Sequence, residues 1–239
     1  MTVSFGRGPV EARTLAPAAA CAVVVDVLSF TASVGVAVEG GTAVPPYRRR
    51  AAAYARETDA VLAVGRSEAT GAHPWTLPPA ALRAAPRPPR PVLPSPNGST
   101  IAAEAASGGA VVVASLRNRS AVARRLTDRG YGTGDRPLAV VAAGERWPDG
   151  SLRPALEDLL GAGAVLSALG GPHTRMNPEA TAAATPWAAA EDPVAALHGC
   201  GPGRELYEYG FPQDVAVTAE IDSSTAVPVL VDGAFQEAR

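Results

Sequence analysis

Residues 21–27 read Cys-Ala-Val-Val-Val-Asp-Val, six apolar side chains with one carboxylate, Asp26, set near the exit. A strand with one wet face alternates apolar and polar residues. An unbroken apolar run of this length is what a strand covered on both faces requires. Phe30–Glu39 follows with helical composition and is closed by Gly40-Gly41, a common helix stop. Strand, acidic exit and helix together predict an α/β domain.

The same rhythm extends outward. Thr42–Pro45 reads as a weak strand, Arg48–Thr58 as a helix and Ala60–Val64 as another buried run. From Ala72 to Pro91 the proline density argues against regular structure, leaving a surface loop or a lid. Val92-Leu93 leads into Pro94–Thr100 and a helix over Ile101–Ala106. Ala110–Ala114 and Pro137–Ala143 predict strands, and Asn118–Arg129 and Pro154–Leu169 helices, the last with proline in its first turn. Asn177–Ala190, Pro193–Leu197 and Gly203–Tyr209 read as helical, and Val227–Val231 as a last strand. Helix-sized segments between strands predict three α/β/α layers around a mostly parallel or mixed sheet, in one domain over residues 1–239. In such sheets ligands bind beyond the carboxyl ends of the strands, so the polar residues that follow the apolar runs carry the interest.

Composition excludes several functions. The chain has 239 residues and a formal net charge of −2, without the basic excess that phosphate-backbone binding needs, so nucleic acid is not an expected partner. No apolar run approaches the roughly 20 residues that span a bilayer, and Met1–Pro17 lacks the apolar core of a signal peptide. Two cysteines, Cys21 and Cys200, are too few for a disulfide framework. A cytoplasmic setting is therefore expected, with homo-oligomerisation left open. All 21 Lys/Arg positions are arginine. Without lysine there is no Schiff-base chemistry and no Walker-type phosphate loop. Charge on a bound phosphate must then be met by arginine, main-chain N–H groups or a metal.

Four segments could carry chemistry. Asp26 leaves the first strand and is followed by Ser29, Thr31 and Ser33 at a helix start. A carboxylate there can hold Mg²⁺ or attack phosphorus, while the hydroxyls and helix-start amides receive phosphoryl oxygens; a helix cap or buried acceptor is the plain alternative. In Pro96-Asn97-Gly98-Ser99-Thr100 the glycine permits close approach of a ligand to a helix N-terminus, and Asn97, Ser99 and Thr100 add neutral donors; an ordinary Asn-Gly turn fits as well. Glu157 and Asp158 open a helix after a strand end, where the dipole alone also favours acids. Arg204, in Gly203-Arg204-Glu205, offers a fork for an anion. Ser115, Arg117 and Asn118 follow another strand, and Asp214 and Asp222–Ser224 complete the late polar group.

Several familiar phosphatase designs can be set aside on spacing. Asp26 has Leu28 where a haloacid-dehalogenase site needs a second aspartate. Cys200–Arg204 is two residues short of a cysteine-phosphatase loop. His73, His173 and His198 are too scattered for a zinc cluster.

Taken in order, Asp26-Val27-Leu28, Pro96–Thr100, Ala114–Asn118, Ala142-Ala143-Gly144, Leu156–Gly163 and Asp222 through Val229 resemble the 2-phosphosulfolactate phosphatase (ComB) family over nearly the whole chain. The resemblance implies a three-layer α/β/α fold, Mg²⁺ dependence, and removal of phosphate from 2-phosphosulfolactate or a related small phosphorylated hydroxy acid. It implies Asp26, Glu157 and Asp158 as metal ligands; from the residues themselves, Asp26 is a catalytic candidate as nucleophile or ligand and Arg204 a catalytic candidate as an anion fork. By the same resemblance the Asn97, Gly98, Ser99, Thr100 turn would cradle phosphate with Ser115 nearby, while Ser29 and Thr31 are substrate-binding candidates from their place at the helix start. The chain departs from the family at Ser29, where an arginine is usual, in Gly65–Gly71, and at Gly203-Arg204-Glu205, which stands in for a histidine-bearing segment. A sulfonate-bearing substrate needs two anion sites, so these swaps bear on which substrate is used. A non-catalytic anion- or metabolite-binding protein on the same scaffold is the competing reading.

Overall fold

A computed structural model of the chain describes residues 2–46, 51–57, 60–64, 75–85, 91–95, 97–169 and 174–238. The Gly65–Gly71 segment, Pro96, His73 and His173 lie outside them.

The chain opens with strand β1 (Val3–Arg7) and helix α1 (Gly8–Leu15), then runs through β2 (Cys21–Val25), α2 (Phe30–Glu39) and α3 (Ala51–Glu57). Short β3 (Val61–Leu62), α4 (Pro79–Ala84) and β4 (Pro91–Val92) precede α5 (Gly98–Ala105), β5 (Ala110–Ala114), α6 (Arg119–Asp128) and β6 (Leu138–Ala142). A small hairpin, β7 (Glu145–Arg146) and β8 (Leu152–Arg153), leads to α7 (Leu156–Ala168). Helices α8 (Pro178–Ala189), α9 (Pro193–Gly199), α10 (Gly201–Glu208) and α11 (Pro212–Thr218) precede the closing hairpin of β9 (Pro228–Val231) and β10 (Ala234–Glu237).

The main sheet is six-stranded, in the order β1-β6-β2-β5-β9-β10. Its first four strands are parallel, and β9 and β10 add an antiparallel edge. The valine run behaves as its composition demands. Cys21, Val23 and Val25 pack with residues of α6, α7 and α8 on one face, while Ala22 and Val24 pack with α1, α2 and α5 on the other. Helices thus cover both faces of a mixed sheet, which is the three-layer α/β/α arrangement. The register sets Val25 level with Ala114 of β5 and Ala142 of β6, and Arg7 of β1 level with that same Ala142. Asp26, Ser115, Ala143 and Gly8 therefore leave the sheet along one edge.

Several expectations need correction. The Pro-rich segment is not without regular structure: Pro79–Ala84 is helical, with its proline in the first turn where the missing N–H is no loss. Ala60–Val64 does not join the main sheet, because among the described residues Val61 and Leu62 pair only with Pro91 and Val92 in a separate two-stranded sheet. Thr42–Pro45 contributes a single bridge, Val44 to Phe235. The helix expected from Ile101 begins at Gly98, and the one expected from Pro154 begins at Leu156. Strands β1 and β10, the β7–β8 hairpin and helices α1 and α11 have no counterpart in the sequence reading. No helix among the described residues is long and apolar enough to cross a membrane.

Candidate active site

Asp26 leaves β2 and is almost fully buried. Its carboxylate joins two helix starts: Oδ1 accepts from Phe30 N at the head of α2 (3.1 Å), and Oδ2 from Gly98 N at the head of α5 (2.8 Å). Thr31 fixes the Asp26 backbone, its hydroxyl donating to the Asp26 carbonyl (2.8 Å) and accepting from the Asp26 N–H (3.1 Å). Gly98 has to be glycine here, since a Cβ would fall 2.6 Å from Asp26 Oδ2 and also into the Phe30 ring.

Three further carboxylates gather around Asp26. Asp158 is buried and takes two main-chain N–H groups at 2.7 Å each, from Val27 beyond β2 and from Gly144 beyond β6, so it latches two strand exits together. Its helix neighbour Glu157 is buried and receives the Cys200 thiol at 3.5 Å. Glu145, first residue of β7, receives the Asn97 side-chain N–H at 3.0 Å.

Desolvation raises all four, and the charges of neighbouring acids add to it at Glu145, Glu157 and Asp158. Burial pushes Asp26 up to about 6, against hydrogen bonds from Phe30, Gly98, Ser95 and Ser29 that hold it down. Burial, then the charges of Asp26 and Glu157, pushes Glu145 up to about 7. Glu157 also rises to about 7, through burial first and the Asp26 charge as well. Asp158 lies well above the ordinary range because it is buried beside Glu157 and Asp26. Arg153 is the cation felt at Glu145 and Glu157, and it is already held by Glu205 at 2.7 Å. Burial and the Glu157 charge lift the Cys200 thiol to about 12, far from a reactive thiolate.

The other anticipated residues divide. Asn97 and Gly98 stand in the site. Ser29 lies at the start of α2, its carbonyl receiving the Ser33 amide and hydroxyl at 2.9 and 2.8 Å, while its own N–H faces the Asp26 carboxylate. The Ser99 hydroxyl donates to the Ser95 carbonyl, and Thr100 lies half-buried in the first turn of α5. Ser115 leaves β5 level with Asp26, where it forms a capping box with Asn118. Arg204 lies on the exposed side of α10, without an ion pair among the described residues.

Glu145, Arg153 and Ser95 were missed as site residues. Glu145 had a usable signal: it follows the apolar run Leu138–Ala143 after a single glycine, the same strand-exit logic that picks out Asp26. Arg153 had none, because its place depends on how the β7–β8 hairpin folds back.

The carboxylates suit a hard cation in donor type, and their excess negative charge is what a divalent ion would offset. Among the described residues, no three His, Cys, Asp or Glu side chains are arranged as a ready metal cage. Mg²⁺ does not need one, since it commonly takes one or two protein carboxylates and completes its shell with water and substrate phosphate. Asp26, Glu157 and Asp158 are all candidates for that smaller requirement, and Asp26 and Asp158 each also accept two main-chain amides.

Residues 10–233 match the family described as 2-phosphosulpholactate phosphatase. A Deinococcus radiodurans protein named "Probable 2-phosphosulfolactate phosphatase" is 36% identical over 149 residues, a match covering 60% of this chain and 57% of that protein. With the family match running over residues 10–233, through four of the six strands of the main sheet and every carboxylate of the site, this chain belongs to the 2-phosphosulfolactate phosphatase family.

Proposed function

We propose that the protein is a Mg²⁺-dependent phosphomonoesterase of the cytoplasm, acting on 2-phosphosulfolactate or a closely related phosphorylated hydroxy acid. The observation that carries this reading is the Asp26 carboxylate, buried between the first amides of α2 and α5 and flanked by Glu145 and Glu157. Two helix starts aimed at one point suit a phosphoryl group, and the surrounding acids suit the cation that accompanies it. Membership of a family described by this activity, and the name of the Deinococcus radiodurans relative, support the substrate class. Free, buried Cys21 and Cys200 fit a reducing compartment.

In this mechanism Asp26 and Glu157 hold the ion, which when bound supplies Lewis-acid stabilisation of the phosphoryl oxygens. The first turn of α5 and the Asn97 side chain orient the phosphate, and Asp158 keeps the two strand exits in register beneath it. Arg153, anchored by Glu205, adds positive charge beside the growing negative charge of the transition state. Asp26→Asn keeps the shape and removes the charge. Phosphate release from 2-phosphosulfolactate in the presence of Mg²⁺ should then fall by about 10³-fold, the scale of losing a principal catalytic group. Full activity in that variant would remove Asp26 from its role.

A further inference from the structure

The edge of the sheet that carries Asp26 has a second feature where β1 and β6 end. A cavity of about 210 Å³ opens there, walled by Arg7, Val10, Asn97, Glu145, Arg146 and Leu152 among others. Asn97 belongs to both places. Its turn delivers the Gly98 N–H to Asp26, while its side chain reaches Glu145 in the cavity wall. β1 is two strands from β2 in the sheet, about 10 Å, a span that a small acid and an arginine side chain can bridge together.

The two arginines of this wall differ from five others in the same fold. Arg13, Arg83, Arg117, Arg119 and Arg153 each pair with a carboxylate. Neither Arg7 nor Arg146 has an ion pair among the described residues. The acid nearest Arg7 in sequence, Glu11, receives the Arg7 main-chain N–H instead of the guanidinium. Arg146 gives Nη1 to the Gly150 carbonyl at 3.0 Å, and its Nε is buried with no hydrogen-bond partner. A buried guanidinium N–H without an acceptor is unfavourable, and an oxyanion bound in the cavity would relieve it. Planar guanidinium forks suit carboxylate and sulfonate oxygens.

We propose that this cavity is the subsite for the non-phosphoryl anionic end of the substrate, held by Arg146 and Arg7, and that it selects phosphorylated acids over uncharged phosphomonoesters. The proposal rests on the phosphatase reading above for its substrate, although binding at the subsite can be measured without turnover. The chemistry is that of an oxyanion on a short carbon chain, sulfonate or carboxylate.

Arg146→Gln and Arg7→Gln, each checked for an unchanged melting transition, should lower the ratio of kcat/KM for 2-phosphosulfolactate to that for glycerol 2-phosphate. Each should do so by about tenfold or more, the scale of one charge-assisted hydrogen bond, and mainly through KM. If 2-phospholactate, which lacks the sulfonate, keeps its ratio, sulfonate is the group held; if it loses in parallel, carboxylate is. A ratio unmoved in both variants, or equal losses on glycerol 2-phosphate, would overturn the subsite. Calorimetry with sulfolactate, without phosphate or Mg²⁺, separates the two readings. Binding to the parent that weakens about tenfold in both variants upholds the subsite even if no phosphoester is hydrolysed. Binding that is absent from the parent, or equal in all three proteins, overturns it.

Discussion

Two clusters of charge in this fold have opposite balances. At the carboxyl edge of the sheet Asp26, Glu145, Glu157 and Asp158 repel one another, and every one is raised above the ordinary carboxylate range. Beside the end of α2, around a cavity of about 460 Å³, Arg83 and Arg117 face Glu39 and Glu220. Arg83 grips both Glu220 oxygens at 2.7 and 2.6 Å, and Glu220 is accordingly held below its ordinary range. The buried Arg117 lies 3.3 Å from Glu39 and 3.4 Å from Glu220. Two positive charges meet two negative ones, so the cluster is balanced in charge within the protein, although Arg117 Nε and Nη1 are buried without a hydrogen-bond partner among the described residues. The acidic cluster is not balanced, and a strongly perturbed, uncompensated group of acids marks the place where a ligand supplies the missing charge.

The sharpest way to separate the roles inside the acidic cluster is Asp158→Ala. Although Asp158 is one of four repelling acids, its oxygens satisfy two buried amides, those of Val27 and Gly144. Removing it should destabilise the fold by about 3 kcal/mol, since each orphaned buried donor costs about 1–3 kcal/mol. Urea unfolding should show the midpoint falling at constant slope. A stability equal to the parent's would mean that relief of repulsion outweighs the latch, and Asp158 would then rank with the metal-binding acids.

The pH dependence of the metal-free protein tests the imbalance itself. Asp26 at about 6 and Glu145 and Glu157 at about 7 keep their protons to higher pH in the folded chain than in the unfolded one, where carboxyls titrate near 4. The folded state therefore binds more protons across that window, so the stability these groups contribute is present below about pH 4 and lost as pH rises to about 7. Because the groups share their repulsion the shifts do not add, and a fall of about 2 kcal/mol between pH 5 and pH 8 is expected. Mg²⁺ should flatten the fall by favouring the ionised forms. A metal-free protein more stable at pH 8 than at pH 5 would contradict the whole electrostatic picture of the site.

How much of this was legible in the sequence depends on whether each feature was local. The valine run of β2 had to be a strand buried on both faces, and Asp26 at its exit had to reach the ligand edge, because both follow from period and topology alone. Helix α2 ends where Gly40-Gly41 says it should. β1 was hidden because Val3–Arg7 is short and interrupted by Gly6, so its strand character comes from pairing with β6. Thr31 and Ser99 looked like ligand-facing hydroxyls, but main-chain carbonyls a few residues away claim them, a competition that spacing does not reveal. The resemblance implied Asp158 as a metal ligand together with Glu157, and the two amides from distant strand exits that Asp158 accepts were not legible, because they depend on how β2 and β6 pair.

The balanced cluster should be the least sensitive of all. The Arg83 and Glu220 side chains are 42% and 38% exposed, and ion pairs at that exposure contribute about 0–1 kcal/mol. Arg83→Gln should therefore lower stability by about 0.5 kcal/mol. It should leave the slope between pH 5 and pH 8 unchanged, because an arginine and a carboxylate held below its ordinary range stay ionised throughout. Glu220 would keep Arg117 as a partner, so no buried charge is stranded. Urea unfolding at both pH values reads the two quantities together. A loss approaching that of Asp158→Ala, or an altered slope, would mean that Arg83 offsets negative charge at the sheet edge as well as at Glu220. The two clusters would then be one electrostatic system, and the acids around Asp26 would already have part of the countercharge assigned here to Mg²⁺.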